Sequence, residues 1–370
     1  MRLGVFMMPL HPPGRAMHEY LAEDTEKTIL LDTLGYDELW VGEHFTAETE
    51  PYPAPLMFMA SLLPRTSRIK FATGVVSAPN RHPAHVAAEA AQFDHMSRGR
   101  FILGVGTGSL PTDAELFGVD ADAAGKARML IEHIDMIERI WAQGPPYDLK
   151  GEFWHVKVKD SLFLDIGFGV MPKPFQSPRP PICIPSATPN SRSAYVCGQR
   201  GWGPISSAML SAEALAQHWR NYRQGCLDAG RQVDPQNWRV VRSVLVAATD
   251  EEARARAFSP DSAHRNFFGH FFKIFGRNKM LGALRSHAGM AESEITVDTI
   301  MESRLIYGSP KTVAAKLADL SEQVGPFGTL LVSGMHWSGP NAAWDRESLT
   351  RLTHEVIPLL GKGTPAGAIA

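Results

Sequence analysis

The stretch LAEDTEKTILLDTL (Leu21–Leu34), followed by GYD (Gly35–Asp37) and ELWVG (Glu38–Gly42), decides the fold. Its first part repeats leucine and isoleucine at helical spacing and stops at a glycine, the residue that most readily ends a helix. Its last part is a short, nearly continuous apolar run, as expected of a strand buried on both faces. Working outward, the same alternation recurs. The apolar runs are Leu3–Met8, Glu38–Gly42, Lys70–Val76, Phe101–Val105, Pro181–Pro185, Trp202–Ser206, Val240–Ala247 and Thr329–Val332. The first four start at 3, 38, 70 and 101, spacings of 35, 32 and 31 residues, the length of one βα unit. Between the runs, helical patterns cover Pro83–Met96, Ala127–Trp141, Ser211–Ala229, Ser309–Val324 and Asp345–Leu360. Ser309-Pro310 reads as an N-cap followed by a proline in the first turn. Eight such units favour an α/β fold of the closed (β/α)8 TIM-barrel type over an open doubly wound sheet.

Two gaps are too long for one unit. They cover about 144–180, after strand 4, and about 250–300, after strand 7. They read as insertions on a single domain spanning 1–362, with 363–370 as a flexible C-terminal tail.

Composition narrows the function. The chain has 370 residues, 44% apolar and 21% charged, with 37 basic against 39 acidic side chains. That balance carries no footprint for nucleic acid or an anionic membrane. No apolar stretch reaches the ~20 residues that span a bilayer. The three cysteines Cys183, Cys197 and Cys226 form no Cys-x-x-Cys pair and suit a reducing, cytoplasmic setting. There is no P-loop, no Gly-x-Ser-x-Gly elbow and no Gly-x-Gly-x-x-Gly after the first strand. The histidines form no metal-ligand motif, so no metal is expected.

In this architecture chemistry sits at the C-terminal ends of the strands. The candidates there are Met8, Pro9 and His11; Glu43 and His44; Ser77, Asn80, Arg81 and His82; Gly106, Thr107, Gly108 and Ser109; Ser186, Asn190, Ser191, Arg192 and Ser193; and Met335, His336 and Trp337. His44 is either an acid–base group or a satisfied structural histidine. His82, beside Pro83 at a helix start, reads as a cap. Gly106-Thr107-Gly108-Ser109 offers backbone N–H groups with little side-chain bulk, and Asn190–Ser193 opens a helix, so either could hold a phosphate or be plain turn and cap chemistry. Phe267, Phe268, Phe271, Phe272 and Phe275 share one helix face, which is core packing or a lid over an apolar pocket. Met8, Met57, Phe58, Met335 and Trp337 would add an apolar lining.

These pieces come together as a resemblance. The chain is similar to the bacterial luciferase-like flavin monooxygenases in Leu3-Gly4-x-Phe6, Gly35-Tyr36-Asp37-x-x-Trp40-x-x-Glu43-His44-Phe45, Thr73-Gly74-Val75-Val76, His82-Pro83, Met96–Phe101, Gly104-Val105-Gly106 and Tyr307–Pro310. The match spans roughly the whole barrel and is nearest the terpene and ketone branch. The resemblance implies a two-component enzyme. Reduced FMN arrives from a separate flavin reductase as a cosubstrate. Through a flavin 4a-hydroperoxide and O2 it oxygenates an apolar small molecule: a ketone, terpene, alkane or aldehyde. It implies that His44 is the catalytic histidine, as general base or hydrogen-bond donor, and that the Gly74–Val75 peptide is cis beneath the flavin. FMN would be held by Thr73, Gly74, Val75, Gly106, Thr107, Gly108, Asn190, Ser191, Arg192 and Ser193. Substrate would meet Met8, Met57, Phe58, Phe267, Phe271 and Trp337. Luciferases carry an arginine where this chain has Thr107, which leaves Arg192 as the partner for the phosphate charge. The family also implies a homodimer, with the alanine face Ala87, Ala88, Ala90 and Ala91 near the interface. Two alternatives share the barrel and the phosphate site. One is a deazaflavin-dependent hydride-transfer enzyme, for which Arg265, Arg277 and Lys279 are candidate anchors. The other is a non-catalytic flavin-binding protein, which the retained His44 argues against.

Overall fold

Each of the eight runs forms a strand. They are β1 (Arg2–Met7), β2 (Glu38–Val41), β3 (Lys70–Thr73), β4 (Phe101–Gly106), β5 (Ile182–Ser186), β6 (Gly203–Ser206), β7 (Arg239–Val246) and β8 (Thr329–Ser333). A computed structural model describes residues 1–8, 10–287 and 289–361; Pro9 and the expected tail 363–370 lie outside the described residues. Hydrogen-bonded neighbours run in the order β1 to β8, and β8 pairs with β1, so the strands close into an eight-stranded parallel barrel ringed by helices. The closing register sets Arg2 opposite Thr329 and Phe6 opposite Ser333. Continuous burial along β2, β4, β6, β7 and β8 agrees with strands covered on both faces.

The chain divides into two compact units, 1–39 with 185–370, and 40–184. In the first, β1 pairs with β8, and β7 pairs with both β8 and β6. At the base of β2 and β7, the Glu38 carboxylate accepts two bonds from the Arg239 guanidinium, at 2.7 and 2.8 Å. Both side chains are buried, so the charges stand in low dielectric and depend on each other. The helix Met17–Leu34 ends at Gly35 with φ 87°, as its sequence predicts. The helix Pro310–Val324 starts at Ser309, whose hydroxyl accepts from Thr312 N–H.

In the second unit, the expected strand Lys70–Val76 divides into Lys70–Thr73 and a short piece, Val76–Ser77, with a cis Gly74–Val75 bond between them. The Thr73 hydroxyl takes the place of backbone pairing there. It donates to Gly104 O at 2.8 Å and accepts from Gly104 N at 2.9 Å. A Cβ on Gly104 would lie 2.0 Å from Thr73 O, so only glycine allows this approach. The 144–180 segment carries an antiparallel hairpin, Tyr147–Lys150 with His155–Val158. The Glu132 carboxylate accepts from the N–H groups of Glu152, Phe153 and Trp154 in its turn.

Two expectations need correction. The alanine face of Pro83–Ser97 is used inside the chain: Ala87, Ala90 and Ala91 are fully buried, and Trp141 Nε1 donates to Ala87 O. Small side chains there let two helices of the same unit approach closely, and only Ala88 keeps some exposure. The last helix is not one continuous piece. It runs Asn341–Arg351, passes through a π turn at Leu352–Val356 and resumes at Ile357–Leu360. Pro358 follows that turn and has no N–H to donate, which favours a break in the helical bonding just before it.

Replacing Glu38 by Ala takes the carboxylate away from the buried Arg239 guanidinium, which still donates to Asn237 O. We expect a loss of about 3–5 kcal/mol in urea unfolding. A loss below about 1 kcal/mol would show that Arg239 finds water or another acceptor.

Candidate active site

The chain leaves β2 through Gly42, Glu43 and His44, all buried. Burying two titratable groups in succession requires partners for both, and each has its own. The Glu43 carboxylate accepts from Ser77 N–H at 3.1 Å and meets Arg81 Nη2 at 2.9 Å. Burial pushes the Glu43 carboxyl up, and Arg81 works against that rise. His44 has a carboxylate on each ring nitrogen. Asp113 Oδ2 lies 3.1 Å from Nδ1, and Glu50 Oε2 lies 3.3 Å from Nε2. Burial disfavours the charged ring, but Glu50 and then Asp113 outweigh it and hold the imidazole above its ordinary value.

Asp113 stands in the first turn of the short helix Pro111–Leu116. Its other oxygen accepts from Phe45 N–H at 3.2 Å and Thr46 N–H at 2.9 Å. Burial raises its carboxyl, but the Thr46 and His44 bonds bring it below the usual range. Glu50 lies on the segment after β2, which folds back so that His44 N–H donates to Tyr52 O at 3.2 Å. The sequence reading missed both carboxylates. Asp113 had a faint signal, an acid just after Pro111 at a helix start; Glu50 had none.

In the same unit the Thr73–Gly74–Val75 segment is placed at the end of β3, with the cis bond the resemblance implies. Gly106 ends β4, followed by half-buried Thr107 and exposed Gly108. Gly108 has φ 73°, and a Cβ there would stand 2.5 Å from Ser77 Oγ. That hydroxyl is buried and has no hydrogen-bond partner among the described residues. His82 is the cap it was expected to be, its Nδ1 accepting from Ala84 N–H at 3.2 Å. Phe58 is buried and lies 4.8 Å from the Tyr52 ring, whereas Met57 is 76% exposed.

In the other unit, the helix Ser193–Arg200 follows β5. The Ser193 hydroxyl lies 2.6 Å from both Ser186 Oγ and Ser191 Oγ, so three hydroxyls cluster at this N-terminus. Asn190 and Arg192 are exposed, and the Arg192 guanidinium lies 5.7 Å from the centre of the Tyr195 ring. The helix Ala263–Arg277 carries the phenylalanines. Phe267 and Phe268 are buried, Phe271, Phe272 and Phe275 are half-buried, and Phe267 and Phe271 pack edge to face at 4.9 Å. Met8 is half-buried. Trp337, after β8, is fixed by Asp345, which accepts from its Nε1 at 2.7 Å, with Lys27 4.9 Å from the ring centre. His11, expected only as a strand-end residue, is buried with Nε2 3.1 Å from Asp24 and Nδ1 3.6 Å from Glu23. Ligand atoms of these three residues lie within 4.8 Å of one another, and Arg15 Nη1 lies 2.8 Å from Glu23. Arg265, a proposed anchor for a deazaflavin arm, is engaged by Asp298 at 2.6 Å.

Residues 1–326 match the luciferase-like monooxygenase family. The chain belongs to that family. Among its relatives are 4-hydroxyprotoasukamycin monooxygenase of Streptomyces nodosus subsp. asukaensis, 32% identical across 94% of this chain and 88% of that protein. Another is limonene 1,2-monooxygenase of Rhodococcus erythropolis, 30% identical across 96% and 85%. A solved structure, the oxygenating constituent of the 3,6-diketocamphane monooxygenase of Pseudomonas putida in complex with FMN, superposes with a TM-score of 0.87. It shares 26% identity and covers 97% of this chain and 98% of its own. The protein is thus a luciferase-like monooxygenase, and its barrel is the family's barrel.

This monooxygenase also carries a built-in acid sensitivity. Burial pushes His264 down to about 3 and His336 down to about 4. Both rings are neutral in the folded enzyme but take up a proton on unfolding below the ordinary value of ~6.5. Their stabilising contribution is therefore complete above ~6.5 and declines as the pH falls towards the folded values. We expect each to remove about 1.5 kcal/mol between pH 6.5 and 5. Urea unfolding of His264→Leu should show a correspondingly flatter acid limb; an unchanged limb would mean that His264 is hydrated in the folded state.

Proposed function

We propose that this enzyme transfers one oxygen atom of O2 to an apolar small molecule, using reduced FMN received from a separate reductase. The single observation that carries the reading is His44, held at the end of β2 with a carboxylate on each ring nitrogen. Strand ends are where barrel enzymes place their reacting groups. A buried titratable group between two charge partners is a candidate for proton transfer.

The residues present suit FMN. The Ser77 hydroxyl, without a hydrogen-bond partner among the described residues, and side-chain-free Gly108 beside it leave a polar contact and the room to use it. Thr73, Gly74 and Val75 would lie against the ring system, with Gly106 and Thr107 beside the ribityl phosphate. The clustered hydroxyls Ser186, Ser191 and Ser193 open a helix whose N-terminal dipole favours an anion. Asn190 and Arg192 flank them, and Arg192 can turn from the Tyr195 ring to supply the charge that Thr107 lacks. Bound reduced FMN would supply the electrons that activate O2. A relative described as an oxygenating constituent, solved with FMN, supports the division between oxygenase and reductase.

The substrate we favour is a cyclic ketone or monoterpene. Relatives acting on limonene and named for diketocamphane support it, as do the apolar side chains Phe58, Phe267, Phe271, Met8 and Trp337. The pinned indole of Trp337 and the edge-to-face Phe267–Phe271 pair are rigid surfaces, suited to compact hydrocarbon rings. His44 would hold and move a proton at Nε2.

Feeding the purified protein reduced FMN from a reductase, with O2 and a panel of cyclic ketones and monoterpenes, tests the reading. Oxygenated product should form, and His44→Ala should lower turnover by a factor of ~10²–10⁴. Oxidation of the flavin with no product from any member of the panel would reject it.

A further inference from the structure

His44 is met by two charged groups among the described residues, Asp113 from the helix Pro111–Leu116 and Glu50 from the segment after β2. Glu43, next in sequence, turns instead to Arg81 and Ser77 N–H. An ionised carboxylate only accepts hydrogen bonds. A neutral imidazole carries one N–H and one lone pair, so it could satisfy only one of the two carboxylates. The other contact would set lone pair against lone pair at 3.1 or 3.3 Å. Asp113 is held ionised by its bonds from Thr46, His44 and Phe45. Glu50 Oε2 is buried, lies 3.3 Å from His44 Nε2 as an ion-pair contact, and has no hydrogen-bond partner among the described residues. Its position is fixed in advance: Glu50 N–H donates to Ala47 O, Tyr52 N–H donates to Glu50 O, and Tyr52 O accepts from His44 N–H.

We propose that Glu50 is a positioning residue that, together with Asp113, keeps both ring nitrogens of His44 as N–H donors, so that His44 enters the reaction as a proton donor and not as a base. The inference rests on the monooxygenase reading for its use but not for its geometry. In the step it serves, the Nε2–H bond breaks and its proton goes to an oxygen anion developing on the reacting molecule. The N–H electron pair stays on the ring, leaving a neutral imidazole whose Nδ1–H still bonds Asp113. A solvent proton then restores Nε2–H, and Glu50 favours its return.

The direct test needs no flavin. Histidine labelled with ¹³C at Cε1 is introduced into the full chain, and the His44 signal is identified by its loss in His44→Asn. The signal is then titrated in wild type, Glu50→Gln, Glu50→Asp and Asp113→Asn. We expect His44 to titrate above ~6.5 in wild type and about one pH unit lower in Glu50→Gln, a tenfold change in proton affinity. Glu50→Asp should recover part of it. The alkaline limb of the pH–rate profile should move down by the same amount in Glu50→Gln. If Glu50→Gln folds with an unchanged circular dichroism spectrum and His44 titrates as in wild type, the proposal fails. A shifted titration in a protein that oxygenates nothing would sustain the role of Glu50 and reject the monooxygenase reading separately.

Discussion

A charge buried inside this barrel has to be met by an opposite charge or by a set of hydrogen-bond acceptors, and that constraint organises the molecule. Strands covered on both faces leave little water for an isolated ion, and an unpaired buried charge costs several kcal/mol. Buried charges are accordingly partnered: the Arg242 and Arg304 guanidinium groups donate to main-chain carbonyls, including Ala208 O and Leu210 O for Arg242 and Met209 O and Arg285 O for Arg304, and other buried charges take an opposite charge. Glu38 takes both arms of Arg239, Glu43 takes Arg81, and Lys27 lies 3.6 Å from Asp345, which in turn holds the Trp337 indole. The same rule, applied at the end of β2, puts a carboxylate on each side of His44. The stability requirement and the chemistry are thus one arrangement: the partners that make burial tolerable also decide which protons the imidazole carries.

The barrel was legible because its signal is local and repeated. Eight apolar runs, glycine and proline stops, and the Ser309-Pro310 cap are short-range patterns, and each maps onto an element. The misreadings also have physical causes. Thr73 looks like an ordinary strand residue, yet its hydroxyl closes two bonds to Gly104 that end the regular ladder. The alanines of Pro83–Ser97 show a close-packing face, but sequence alone does not say whether the partner is the same chain or another copy. The Trp141 bond to Ala87 O answers for three of them.

The site was legible only in part. His44 was visible from its motif, and the hydroxyl cluster from its place before a helix. Glu50 and Asp113 were not, because their meaning depends on distances of 3.1–3.3 Å across separations of 6 and 69 residues. His11 makes the same point: it comes against the adjacent pair Glu23 and Asp24, twelve residues on, only in the fold. Where charges are compensated by the tertiary structure, a single sequence gives one partner and hides the other.

The central claim, that this chain is an oxygenase in which reduced FMN and His44 act together on an apolar substrate, is tested most directly by following the oxygen atom. The protein, a reductase and a cyclic ketone or monoterpene are incubated under ¹⁸O2, and the product is weighed by mass spectrometry. The account predicts that one ¹⁸O atom from O2 enters each product molecule. Product oxygen drawn wholly from water, or ¹⁸O recovered only as hydrogen peroxide while the flavin is consumed, would contradict it.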